Sequence, residues 1–258
     1  MKIAGGNMEA YEGFAEVYDG FMDNINYDEW VSYLLNLFRR LNIAPKLAAE
    51  LGCGTGNITG RLAKAGIDMI GIDISSEMLS IAKEKAEKEN LDILYLCQDM
   101  REFELFGTVD IVLSLCDSIN YITEESELLE VFKLVNNYLE PKGYFIFDLN
   151  TEYKFKNLLG NKSFSDAEEN KAYIWQNYYD EDEKINEYYV NFFIEDEKTG
   201  LYERIEEVHY EKAYSIETIR RLLTESGMEF VCAYDAFTFD EPKKDSERIY
   251  IISKENGK

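Results

Sequence analysis

The chain predicts an α/β fold, a doubly wound and mostly parallel seven-stranded sheet with an inserted antiparallel β subdomain. Three observations predict it. An apolar run from Leu47 to Leu51 enters the glycine-rich turn Glu50-Leu51-Gly52-Cys53-Gly54-Thr55-Gly56-Asn57, and a helical pattern follows from Ile58 to Ala65. Strand and helix patterns then alternate as far as residue 150. From 151 to 212 the alternation gives way to long β-like runs, before a last helix and two final strands.

The 258 residues fit one large domain or a domain with a subdomain, and an apolar share of 46% is enough for a core. A formal net charge of −24 repels phosphate, and the densest basic runs, 83–88 and 243–244, are mixed with acids or short. Neither a nucleic acid nor an anionic membrane surface is therefore expected as a partner. The acid serves either solubility or the attraction of a cationic substrate. No apolar run is long enough to span a bilayer, and the first six residues do not read as a signal peptide. Cys53, Cys97, Cys116 and Cys232 are scattered without a CxxC pair, which predicts reduced thiols in a cytoplasmic protein. With one histidine and no clustered thiols, no metal site is expected.

The chemistry centres on the glycine turn. Glycines let the backbone approach a ligand, and the helix that follows presents N–H groups and a partial positive charge. A dinucleotide fingerprint would place a third glycine where Asn57 stands, whereas the pattern here is E-x-G-x-G-x-G. The second strand, Asp68–Asp73, ends in an acid 21 residues after Gly52. A carboxylate there can accept from both hydroxyls of a ribose, without saying which ribose-bearing cofactor is bound. An ordinary glycine-rich turn is the other reading of the octapeptide taken alone.

The run Glu50–Gly56 resembles motif I of the class I S-adenosylmethionine (SAM) dependent methyltransferases, and Asp73-Ile74-Ser75-Ser76-Glu77-Met78-Leu79 is similar to that family's D-x-S-x-x-M-L segment. The resemblance runs from Tyr11 to Asn150. It implies a Rossmann-like fold, SAM as cofactor and S-adenosylhomocysteine as product. It implies that Glu50 lies near the amino group of the methionine moiety and that Gly52, Cys53, Gly54 and Asn57 pack against methionine and ribose. Asp73 would hold the ribose. Ile74 and Met78 would line the adenosine pocket, with plain core as the other reading of Met78. After the third strand, Asp92–Cys97, Asp99 and Met100 would read adenine through its amine and a ring nitrogen. After the fourth, Val109–Leu115, Leu115 and Cys116 would border the methyl group. Asp117, Asn120 and Tyr121 would touch the acceptor, with an Asx-type turn as the competing reading of Asp117 and Asn120. Near the start, Tyr18-Asp19-Gly20-Phe21-Met22 is similar to the family's Y-D-x-x-M lid, which would aim Tyr18 at the cofactor and Tyr11 at the substrate.

The remaining elements follow in order. Asn26 and Glu29 form a capping box before a helix marked by Trp30, Leu34, Leu37 and Leu41, so residues 1–43 read as lid and N-terminal helices. A helix from about Glu124 to Leu139 is followed by the turn Pro141-Lys142-Gly143 and a fifth strand, Tyr144–Leu149. Residues 1–150 and 213–258 are then the cofactor-binding domain, and 151–212 an inserted meander. Its runs are 172–179, 184–194 and 201–212, rich in aromatics. The resemblance implies that this insertion roofs the acceptor site. The only histidine, His209, shares a strand face with Glu207 and Glu211. It reads either as a general base whose pKa the carboxylates raise or as a structural residue. Ser215 caps a helix to Ser226 with Gly227 as its stop, and 229–237 and 248–254 read as the final strands.

The function these readings imply is methyl transfer from SAM to a small-molecule acceptor by in-line displacement, in a monomer or homodimer. The alternative is a non-catalytic module that binds SAM or S-adenosylhomocysteine and uses the aromatic meander as an interaction surface. A nicotinamide dehydrogenase is disfavoured by Asn57 and by the lack of a clear hydride-transfer His or Lys site.

Overall fold

Strands of a parallel sheet are buried on both faces, so they are read as unbroken apolar runs rather than as alternation. The computed structural model of the chain describes residues 25–196 and 198–258. In it the runs become β1 (Leu47–Leu51), β2 (Asp68–Asp73), β3 (Ile93–Cys97), β4 (Val109–Ser114) and β5 (Leu139–Asn150), all parallel. Two late strands, β10 (Met228–Asp235) and β11 (Arg248–Glu255), complete a seven-stranded sheet of order β10-β11-β5-β4-β1-β2-β3. β11 is antiparallel to both of its neighbours. The order reverses between β4 and β1, and ligands bind at such a switch point, off the carboxyl ends of the strands.

Side chains alternate across this sheet with period two and build a core on each face. On one face Val112, Phe145, Phe147, Ile249 and Ile251 pack against Leu128, Val131 and Phe132 of the helix Glu125–Tyr138 and Ile219 and Leu222 of the helix Ile216–Glu225. On the other, Ile111, Leu113, Ile146, Tyr250 and Ile252 meet Trp30, Leu34 and Leu37 of the helix Tyr27–Leu41 and Ile58 and Leu62 of the helix Asn57–Lys64. Helix starts lie where the capping residues put them. The side chains of Asn26, Ser75 and Ser215 each accept from the N–H three residues on. No helix among the described residues is long and apolar enough to cross a membrane.

The meander is a second sheet of order β6-β7-β8-β9, antiparallel throughout: Ser163–Ala167, Lys171–Asp180, Ile185–Glu195 and Tyr202–Lys212. A one-turn helix, Lys154–Leu159, sits beneath it, and Phe155, Leu159, Tyr179 and Tyr188 form a small core of their own.

Three details differ from the sequence reading. β6 is an added strand, because its five residues are all exposed and carry no alternation to betray it. β5 begins at Leu139 rather than Tyr144; the pairing jumps from Val109–Leu139 to Ile111–Tyr144, so the Pro141–Gly143 turn is a bulge within the strand. β10 stops at Asp235 rather than Phe237, because Phe237 takes a left-handed φ of 59°.

Candidate functional site

The carboxyl ends of β1, β2 and β4 and the concave face of the second sheet enclose a cavity of about 540 Å³. The glycine turn forms one wall. Gly54 has φ 53°, and a Cβ built there would meet no atom within 4 Å, so the space beside it is open to a ligand. Gly56, with φ 73°, does the opposite job: a Cβ there would come within 2.6 Å of the Tyr95 hydroxyl, so glycine lets the loop lie on β3.

Three side chains brace this loop. Asp73 Oδ2 accepts from the Gly54 N–H at 2.7 Å, and Oδ1 from the Ser75 N–H at 2.9 Å. Burial raises the Asp73 pKa, against the pull of those two bonds. Lys85 Nζ reaches across from the helix Ser76–Glu89 to Thr55 O (3.2 Å), Thr55 Oγ1 (3.1 Å) and Asn57 Oδ1 (3.1 Å). The Thr59 hydroxyl donates to Glu50, which is only 3% exposed yet lines the cavity. Burial pushes the Glu50 carboxyl up to about 8.

Next to the loop lies an apolar slot with one polar edge. Ile74 is 55% exposed and Met78 is buried, and both line the cavity. At the edge, Asp99 accepts from Arg101 Nε at 3.0 Å to each oxygen and from Arg101 Nη2 at 2.5 Å. Burial would raise Asp99, but the bonds from Arg101 outweigh it and hold the carboxyl below its usual range. Met100 follows on the same wall. The cavity thus sets an apolar slot with a polar edge, a carboxylate at a strand end and an open glycine turn side by side.

Asp117, Lys154 and Glu211 line the opposite half of the cavity, and Arg248 and Asp148 stand behind them. Arg248 Nη1 pairs with Asp148, and Nη2 lies 2.7 Å from Asp117 Oδ1. The guanidinium also sits over the Trp30 ring, 5.2 Å from its centroid. The Asn150 amide donates to Glu211 Oε2 at 3.2 Å, and Lys154 Nζ donates to Asn150 Oδ1 at 2.8 Å. Burial alone would raise Asp117; Arg248 and then Lys154 reverse this and hold it low. For Glu211, burial and then the Asp117 charge push the carboxyl well above its usual range. Burial and then Arg248 lower Lys154. Cys116 (φ 56°) and Asp117 (φ 59°) are consecutive left-handed residues, a costly turn for side chains other than glycine. The thiols of Cys53 and Cys116 are pushed well above their ordinary value by burial and stay protonated.

His209 is 8% exposed, 3.8 Å from Glu207 and edge-on to Tyr121 with ring centroids 5.8 Å apart. The expected upward shift is overturned. Burial lowers its pKa to about 4, because removing an imidazolium from water costs more than the carboxylates return.

One cavity thus gathers Glu50, Gly52, Cys53, Gly54, Asn57, Asp73, Ile74, Met78, Asp99, Met100, Leu115, Cys116, Asp117, Tyr121 and His209. Asn120 is the exception among the expected contacts. It is fully buried, its Nδ2 donates to Asn150 O (3.1 Å) and Lys212 O (2.8 Å), and its Oδ1 accepts from the Asn150 N–H (3.0 Å). Both of its N–H donors are spent on backbone carbonyls and it does not line the cavity, which supports the structural reading of Asn120. Tyr11 and Tyr18, with the lid segment, lie outside the described residues. Arg248, Lys154 and Asn150 were missed by sequence reasoning. Only Asn150, at the carboxyl end of β5, carried a positional signal.

Comparison with known proteins gives a consistent set of likenesses. Residues 48–143 match the family model for a methyltransferase domain, ending before the second sheet begins. The chain is 34% identical over 244 residues to the Bacillus subtilis (strain 168) protein named "Putative methyltransferase YqeM", covering 93% of this chain and 95% of that one. Among solved structures, a S-adenosylmethionine-dependent methyltransferase from Clostridium acetobutylicum ATCC 824 is 31% identical, with a TM-score of 0.86 over 96% of this chain and 99% of its own. CalS10, a SAM-bound amino pentose methyltransferase from Micromonospora echinaspora, shares the fold at 15% identity, with a TM-score of 0.73 over 98% of this chain and 100% of its own.

Proposed function

This chain belongs to the class I SAM-dependent methyltransferases, and we propose that its acceptor is a small molecule held between the glycine turn and the second sheet. The observation that carries this is the cavity: its volume of about 540 Å³ lies in the range of small-ligand sites, and its far wall carries the aromatic side chains of β7 and β8. In the same reading residues 1–150 and 213–258 form the cofactor domain and 151–212 the inserted roof over the acceptor. The four cysteines, free in the fold, support a cytoplasmic setting.

The residue roles are part of the proposal. Asp73 accepts from the ribose hydroxyls while it braces Gly54. Ile74, Met78, Asp99 and Met100 hold adenine, with Arg101 keeping Asp99 ionised. Glu50 faces the amino group of the methionine moiety. Gly52, Cys53, Gly54 and Asn57 pack against the chain between ribose and sulfur. Leu115 and Cys116 border the methyl end, and Asp117 and Tyr121 the acceptor. When bound, SAM supplies a methyl carbon activated by a positive sulfur. The protein's task is then to align the acceptor with that carbon and to keep water out. The roof rings supply both exclusion and an electron-rich surface for developing positive charge.

Isothermal titration with SAM, S-adenosylhomocysteine and NAD on wild type and Asp73→Ala tests the cofactor half. Methyl transfer from radiolabelled SAM over a panel of small amines, phenols and acids tests the acceptor half. Binding of the two sulfur nucleosides with no transfer to any small acceptor would count against the small-molecule assignment.

A further inference from the structure

We propose, resting on the methyltransferase reading above, that the acceptor is a protonated amine whose ammonium group seats on the carboxyl pair Glu211 and Asp117 beneath Trp175, Tyr188 and Phe192. Three observations carry this. The first is a charge count. Arg248 bridges Asp117 and Asp148, Asp117 interacts in turn with Glu211, and Lys154 acts on all three acids, so in this cluster three carboxyls meet two cations and one positive charge is missing. The histidine in reach, His209, does not supply it, and Glu207 behind it adds another acid.

The second is the state of Glu211. It is 3% exposed and lines the cavity, but among the described residues it has no basic side chain within 4.0 Å. Both arms of Arg248 are taken by Asp117 and Asp148. At hydrogen-bond range Glu211 has the Asn150 amide, the Tyr188 hydroxyl and the carboxyl of Asp117, while Lys154 and Arg248 act on it from beyond 4.0 Å and are outweighed by burial and Asp117. A buried carboxyl short of a cation keeps a proton, and an entering ammonium group can replace that proton.

The third is the roof. Trp175, Tyr188 and Phe192 on the two central roof strands line the same cavity, and ring faces attract an organic cation and its apolar body. A net charge of −24 over the whole chain draws cations and repels anions on approach.

The step balances. The ammonium gives a proton to the Glu211 carboxylate, and the freed nitrogen lone pair forms a bond to the methyl carbon. The carbon–sulfur bond breaks with its electrons left on sulfur. The products are a methylated ammonium, a neutral thioether and a proton that leaves through Glu211. Glu211 is the proton acceptor, while Arg248 and Lys154 position the carboxyls.

The test is calorimetric and uses the whole chain saturated with S-adenosylhomocysteine. Benzylamine is compared with benzyl alcohol and benzoate, and cyclohexylamine with cyclohexanol. We expect each amine to bind about tenfold or more tightly than its alcohol, as a charge-assisted contact would give. Amine binding should release about one proton at pH 7, read from the heats in phosphate and Tris buffers, and alcohol binding none. In Glu211→Gln the amine preference should collapse while S-adenosylhomocysteine affinity stays. Amines that bind no better than their alcohols, bind without proton release or fail to bind overturn the proposal, even if Glu211→Gln does not fold. Wild type that fails to bind S-adenosylhomocysteine would instead overturn the cofactor reading.

Discussion

The Gly54 N–H lies 2.7 Å from Asp73 Oδ2, so the carboxylate at the end of β2 is also the strut that holds the glycine turn against its neighbouring strand. One side chain therefore ties the shape of the loop to the recognition of whatever the loop binds.

Asp73→Ala removes that strut and the Ser75 bond together. If Asp73 also accepts from the ribose as proposed, the loss of that bond to a charged group, worth about 1.5–3 kcal/mol, should lower S-adenosylhomocysteine affinity about 10- to 150-fold. Titration calorimetry measures it, and an unchanged affinity would remove Asp73 from the site.

If Glu50 faces the amino group of the methionine moiety as proposed, cofactor binding should release a proton. The Glu50 carboxyl stands at about 8 in the fold against an ordinary 4.5, so at pH 7 it is mostly protonated. A cationic amino group placed beside it favours the carboxylate and expels the proton. The same shift governs stability without ligand. The folded state binds the extra proton between the two values, so the stabilising contribution is full below 4.5 and is lost as pH rises through 8. Glu50→Gln should flatten that decline in a series of melting curves while weakening SAM binding. A steeper decline in the variant would contradict the assignment.

His209 should titrate near 4. Its ring proton signal is unambiguous because the chain has one histidine. The folded pKa is below the ordinary 6.5, so the neutral ring's contribution to stability is present above 6.5 and is lost as pH falls towards 4. An NMR midpoint at or above 6.5 would restore the carboxylate-raised base.

Arg248→Met strips from Asp148, which is fully buried, its only ion-pair partner among the described residues, and takes the same partner from Asp117. Breaking one side of a buried pair costs about 3–5 kcal/mol, and the melting temperature should drop accordingly. Arg248→Lys should recover part of it, since one ammonium can satisfy one carboxylate but not the fork to both. Equal melting of wild type and Arg248→Met would mean that both acids are protonated in the fold.

Lys85→Met should loosen the glycine turn without opening the core. Lys85 Nζ holds both Thr55 oxygens and the Asn57 side chain from an adjacent helix. SAM affinity should fall about tenfold, on the order of one bond to a charged group, with little change in melting.

What could be read from the chain divides along physical lines. The parallel half was legible because its strands are continuous apolar runs and its helices begin at side-chain caps such as Asn26 and Ser75. Asp73 was legible because the distance from Gly52 to the end of the next strand is set by one helix and one turn. The polar strand β6 was not, since Ser163–Ala167 has neither apolar periodicity nor a buried face. Nor was Arg248. It meets Asp148 across 100 residues of chain, because β11 slots between β10 and β5 rather than following the last strand outward. Nothing local in Ser246-Glu247-Arg248 announces that neighbour. The lone histidine misled through its company: Glu207 and Glu211 do share its face, but burial decides its charge.

Asn120 has a broader consequence. Its one amide group clasps Asn150 O and Lys212 O, the points where the chain leaves the seven-stranded sheet and returns to it. Asn120 is thus one of the clasps, with the Asn150–Glu211 bond and the Tyr121–His209 ring contact, that fasten the four-stranded sheet to the seven-stranded one. If the second sheet roofs the acceptor as proposed, a change within its strands can alter the acceptor while these clasps and the register of the seven-stranded sheet stay as they are.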